Sequence, residues 1–180
     1  MKKSTLKISL IALTACFICI CAQIAIPLGG VPLTLQTFAV AFCGYTLGKY
    51  SGTLSCLIYL SLGAIGLPVF AGFGASLAFL FGPTGGFLFG FLFLAFFCGS
   101  VSSKASVLFS FLISLIGLLI CHLLGIFWFS HISDISLAQS FLLSSLPYLL
   151  KDILSLIFAR VLFCKLLQRY PQFSFFRSKT

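Results

Sequence analysis

The 180-residue chain holds two carboxylates, Asp134 and Asp152, and no Glu. General acid–base catalysis needs paired titratable groups, and this inventory leaves it few candidates. Asp152 stands beside Lys151 in a long apolar stretch, with Arg160 further along the same stretch. A charge held at mid-helix in a bilayer costs about 2.5–3.5 kcal/mol on insertion scales. Adjacent helical residues project about 100° apart, so the spacing predicts that Lys151 and Asp152 do not pair with each other. Each is expected to meet another group in the interior. Pro147 removes the donor that would bond to the Leu143 carbonyl, which adds an acceptor near the same depth. Arg160 falls near the other end of the stretch, where its long stem lets the charge reach water.

The remaining polar residues offer less. Neither His122 nor His131 has an acidic or Cys partner at metal-ligand spacing, so no metal site is read. The eight Cys, Cys16-x-x-Cys19 among them, lie in or beside apolar runs and read as small packing residues. Gly82-Pro-Thr-Gly-Gly86 lacks the Lys-Ser/Thr ending of a nucleotide-binding loop and reads as a turn allowing close backbone approach. No Ser-His-Asp or Cys-His set follows from spacing. Trp128 reads as an interfacial anchor. Most of the 23 Phe read as packing bulk.

The elements that must position these groups are membrane helices. The chain is 61% hydrophobic and 7% charged, where soluble domains carry about 25% charged residues. Apolar runs place six spans at roughly 8–26, 34–48, 51–66, 81–100, 105–128 and 140–167, making 1–180 one integral membrane domain. The first run is longer than a signal-peptide core and reads as a retained helix. A net charge of +9 would suggest nucleic acid in a soluble chain, but here the basic residues act as topology determinants. With the N-terminus inside, Lys2, Lys3, Lys7, Lys49, Lys104, Lys165, Arg169, Arg177 and Lys179 all fall on the inner side. The outer loops 27–33, 67–80 and 129–139 hold no Lys or Arg. Both termini are therefore expected in the cytoplasm of a multi-pass plasma-membrane protein. The second and third spans are too short for a hydrocarbon core of about 30 Å. The Gly- and Phe-rich segment 67–86 is expected to dip back into the protein, lining a cavity in the outer half.

Several strings together resemble the BioY family, the substrate-binding (S) components of energy-coupling-factor (ECF) biotin importers. They are Ala22-Gln-Ile-Ala-Ile-Pro27, Val31-Pro-Leu-Thr-Leu-Gln-Thr-Phe-Ala-Val40, Tyr59-Leu-Ser-Leu-Gly-Ala-Ile-Gly-Leu-Pro-Val-Phe70, Gly82-Pro-Thr-Gly-Gly-Phe87, His122-x-x-Gly125-x-x-Trp128 and Pro147 to Asp152. The resemblance runs over about residues 8–167. It implies an all-α membrane protein of about six transmembrane helices, with biotin held near the outer face and loop 27–33 as a gate. The family's last-helix pattern is close to Pro-Phe-x-Pro-Gly-Asp-x-x-Lys. Here Asp152 matches its Asp, Ser155 stands at its Lys, and Lys151 occupies its Gly.

For such a ligand, Asp152 and Gln36 are the candidate partners of the ureido ring. Lys151 or the Gly74–Gly86 region, with Thr84 and Gly85, would hold the carboxylate tail. Tyr59 and Phe70 join them as candidate contacts with the ligand. The implied partners are a transmembrane coupling protein and two cytosolic ATPases, because this chain has no motif for ATP hydrolysis. Ala12, Ala15 and Cys16 on the first helix are the candidate docking face, since small residues allow close helix approach. No cofactor, metal, nucleic acid or enzymatic activity is expected. The rival readings are an S component for another vitamin, a small intramembrane enzyme and a purely structural subunit.

Overall fold

The computed structural model describes residues 3–27 and 31–170. Among these lie eight α-helices: α1 Lys3–Gln23, α2 Gln36–Leu47, α3 Lys49–Ala64, α4 Leu77–Leu80, α5 Gly85–Ser100, α6 Val107–Ser133, α7 Leu137–Ser144 and α8 Leu146–Arg169. Five expected spans correspond to α1, α2, α3, α5 and α6. The sixth is a correction. The run 140–167 is not one helix but α7 and α8, broken at Ser145 (φ −123°, ψ −54°). Pro147 lies in the first turn of α8, where its missing N–H is harmless. Ser136 and Gln139 close a reciprocal capping box at the start of α7.

The short α2 and α3 rise only about 18 and 24 Å at 1.5 Å per residue. The chain fills the space beyond their ends with irregular structure and a hairpin. Ala25–Pro27 (β1) and Pro32–Thr34 (β2) pair antiparallel, with Ala25 opposite Thr34 and Pro27 opposite Pro32. These strands were not expected. They flank the anticipated gate, whose residues 28–30 lie outside the described residues. Segment 65–84 folds irregularly around a 3-10 turn, Ala71–Phe73, and the four-residue α4. Trp128 pins it by donating from its indole to the Gly82 carbonyl at 2.9 Å.

Polarity in α6 is reversed relative to a water-soluble helix. Leu108, Leu112, Ile116, Leu119, Leu123 and Phe127 recur every three or four residues and are exposed. Ser110, Ser114, Gly117, Cys121, His122 and Gly125 face the bundle and are buried. That is the face pattern of a helix solvated by lipid, with small residues at the helix–helix contact. At the crossing of α5 and α6, a Cβ on Gly90 would lie 2.7 Å from the Cys121 Cα, so only glycine fits. Helices α1 and α6 are each long and apolar enough to cross a membrane.

The end of the bundle opposite the cavity and the β1–β2 hairpin is closed by Arg160. Expected to reach water, it is instead 1% exposed. Its Nη2 donates to the carbonyls of Ser102 (3.3 Å) and Ala105 (2.7 Å) in the turn between α5 and α6. The guanidinium also lies over the Tyr45 and Phe163 rings. Residues 101–106 fold back against α8, and this is why the charge does not snorkel.

Candidate functional site

The buried polar groups of the half that carries the β1–β2 hairpin converge on one cavity. Hairpin and α2 supply Pro32, Thr34, Gln36 and Thr37, while α8 supplies Tyr148, Lys151 and Asp152. The apolar walls come from Phe79 of α4, Phe87, Leu88 and Phe91 of α5, and Leu118 and Cys121 of α6. The space amounts to about 610 Å³ with its open mouth and the solvent there included. A wider groove adjoins it, sharing Pro32, Ala71, Phe79 and Thr84.

The arrangement follows from the sequence one element at a time. Leu35 starts α2, so Gln36 occupies its first turn at the cavity rather than in lipid. The Gln36 amide is fixed at both ends: its oxygen accepts from the Thr34 hydroxyl at 2.9 Å, and its nitrogen donates to the Tyr59 hydroxyl at 2.5 Å. On α8, Lys151 reaches across to donate to the Thr34 carbonyl at 2.9 Å and to the Thr37 hydroxyl at 3.4 Å. The Lys151 ammonium also touches Asp152 Oδ1. The expectation that these neighbours would not pair is therefore corrected. The Cα–Cβ vectors diverge, but the flexible four-carbon stem of Lys151 bends back over the carboxylate. The contact is an ion pair, and it leaves the carboxylate further acceptor capacity toward the cavity.

His122 is the group that spacing missed. Its Nε2 lies 3.3 Å from Asp152 Oδ2, and its Nδ1 lies 2.5 Å from the Ser145 hydroxyl. Both partners come from α8 and the break before it, far along the chain, so no local motif announces them. The available signal was the helical face: His122 lies on the small, polar face of α6 that turns inward. Tyr148 was also missed. Its hydroxyl donates to the Val31 carbonyl, tying α8 to the hairpin.

Of the expected ligand contacts, Gln36, Thr84, Lys151 and Asp152 line the cavity together. Tyr59, Phe70, Gly74 and Gly85 stand outside its lining. Tyr59 backs the Gln36 amide and is fully buried. Phe70 stacks behind Phe79 at 5.1 Å, and Gly74 makes room for that Phe79 ring. Gly85 sits against the Leu80 carbonyl and the Trp128 indole. All four shape the wall from a second layer. On α1, Ala12 and Cys16 are exposed, whereas Ala15 faces inward. Among the described residues, no group of three or more His, Cys, Asp or Glu could hold a metal ion.

Comparison with known proteins agrees with this architecture. The profile of the BioY family matches residues 1–172. The chain is similar to the probable biotin transporter BioY of Pyrococcus horikoshii, at 41% identity over 82% of this chain and 87% of that one. It is similar to the biotin transporter BioY of Thermotoga maritima, at 42% identity over 81% and 86% of the two chains. Among solved structures, it superimposes on the crystal structure of the S-component for biotin from an ECF-type ABC transporter. The TM-score is 0.86 and the identity 28%, covering 93% of this chain and 95% of that chain. Fold, site and relatives agree, and the chain belongs to the BioY family.

Proposed function

We propose that this chain is the biotin-capturing S component of a vitamin importer, holding its ligand between the hairpin, α2 and the first turns of α8. One observation carries the reading. One of only two acids in the chain, Asp152, is buried at the wall of the cavity among Gln36, Thr37 and Lys151, with the Lys151 ammonium on its Oδ1 and the His122 imidazole beside its Oδ2. A carboxylate offers about four lone-pair sites, so these two partners leave Asp152 able to accept from a ligand in the cavity. The ureido ring of biotin offers two N–H donors and one carbonyl acceptor on a compact frame. In this reading Asp152 accepts from the ring, the Gln36 amide and the Lys151 ammonium supply donors, and the walls of Phe79, Phe87 and Phe91 enclose the sulfur ring and chain. Thr84 stands where the cavity meets the wider groove, at the tail.

The remaining assignments belong to the same reading. The chain lies in the plasma membrane with both termini cytoplasmic, captures ligand from outside and performs no chemistry on it. A transmembrane coupling protein and two cytosolic ATPases drive release. The exposed Ala12 and Cys16 offer the coupling protein a close approach on α1, while the inward-facing Ala15 supports it only through packing.

The test is calorimetric titration of the purified chain in detergent with biotin, thiamine and riboflavin. Saturable one-to-one binding of biotin alone is expected. No binding of biotin, or tighter binding of another vitamin, refutes the assignment. Mass analysis of the recovered ligand should return unaltered biotin, and a modified product would favour an enzyme.

A further inference from the structure

We infer that His122 and Ser145 form a positioning relay that aims the Asp152 carboxylate, so that the break between α7 and α8 is part of the binding site. The inference rests on the biotin reading above. A carboxylate only accepts hydrogen bonds, so the 3.3 Å contact to Oδ2 requires a proton on His122 Nε2. In the neutral ring Nδ1 is then an acceptor, and the Ser145 hydroxyl donates to it across 2.5 Å. In the neutral ring donation therefore runs from Ser145 to His122 and from His122 to Asp152, and in the protonated ring Nδ1 donates to the Ser145 hydroxyl instead, with both contacts kept.

The backbone break gives Ser145 this orientation. Its non-helical φ/ψ separates α7 from α8, and its own carbonyl accepts from the N–H groups of Tyr148 and Leu149. Ser145 is fully buried and does not line the cavity, so it acts on the ligand only through His122. His122 is itself held edge-on to the Phe87 ring, with centroids 5.8 Å apart. With Oδ2 engaged by the imidazole, the carboxylate plane is set, and Oδ1 is left to Lys151 and the ligand. Orientation by an outer partner is what a binding group needs if it is not to lose rotamer entropy when the ligand arrives.

The test compares four variants by biotin titration: His122→Gln, His122→Phe, Ser145→Ala and Asp152→Asn, with monodispersity and melting temperature measured on each. Glutamine keeps one donor and one acceptor, whereas phenylalanine keeps only the ring. A relay predicts that His122→Phe weakens biotin about tenfold or more and that His122→Gln recovers part of the loss. Ser145→Ala should weaken it severalfold without touching ligand. A ring needed only for packing against Phe87 predicts the reverse order, with Phe tolerated and Gln not. That order, or Ser145→Ala binding like the parent, overturns the relay. Combining His122→Phe with Asp152→Asn should add less than about twofold to the loss from Asp152→Asn alone. Equal fold losses in both backgrounds also overturn it. Should the parent chain itself not bind biotin, the functional reading fails instead, and the two failures are thereby told apart.

Discussion

Replacing Asp152 by Asn changes one oxygen to an NH2 group and removes the charge, leaving the volume almost unaltered. Two effects follow, and the structure separates them. The first is on affinity. A hydrogen bond to a charged acceptor is worth about 1.5–3 kcal/mol, so losing it should raise the dissociation constant by roughly tenfold to a hundredfold at 1.4 kcal/mol per tenfold. The second is on stability. Breaking a fully buried ion pair costs about 3–5 kcal/mol because the partner is stranded. Here the Lys151 side chain is 22% exposed and keeps the Thr34 carbonyl and Thr37 hydroxyl as partners. The stability loss should therefore fall below that range. Calorimetric titration with biotin and thermal melts of the purified proteins measure the two separately. Asp152→Asn is expected to bind biotin at least tenfold more weakly with only a modest fall in melting temperature. Because the two residues touch, the loss in the Asp152→Asn, Lys151→Met double variant should be smaller than the sum of the single losses. Parental affinity in a folded Asp152→Asn variant would refute the assigned role.

Other consequences can be checked independently. Arg160→Met removes both carbonyl contacts to the turn between α5 and α6, so trypsin should cut faster after Lys104 while biotin affinity stays within about twofold; an affinity loss matching that of Asp152→Asn would contradict the separation of the two ends. Trp128 is the only tryptophan, and its indole is bonded to the loop at the cavity mouth, so biotin should saturably change tryptophan-selective emission. Reporter fusions at residue 2 and residue 179 should both register the cytoplasm, and opposite sidedness would end the six-span topology.

The helices were legible because the breakers are explicit. Pro27 to Pro32, Lys49 to Gly52 and Ser102 to Lys104 interrupt runs too apolar to be anything but membrane segments, although the structure puts the middle break at Gly48 and Lys49–Gly52 inside α3. The break at Ser145 was passed over, although Ser144-Ser145 just ahead of Pro147 is a local helix-start signal. What the string does not show is its partner, an imidazole on another helix. The β1–β2 ladder was hidden for a related reason, because a ladder of three residues per strand with a Pro in each leaves no alternating pattern. Within the site, Gln36, Lys151 and Asp152 stood out as polar groups that an apolar span would not otherwise carry. Tyr59 and Phe70 shared the same strings but act one layer behind, and a string cannot distinguish a residue that touches a ligand from one that holds its neighbour. Arg160 shows the same limit: its depth in α8 was readable, but the turn that folds over it was not.

The most direct test of the central claim is a structure of the chain solved with biotin bound. The ureido ring is expected within hydrogen-bond distance of the Asp152 carboxylate, with the chain running between Phe79 and Phe87 toward Thr84. Biotin bound with its ureido ring away from Asp152, or outside this cavity altogether, would contradict the account.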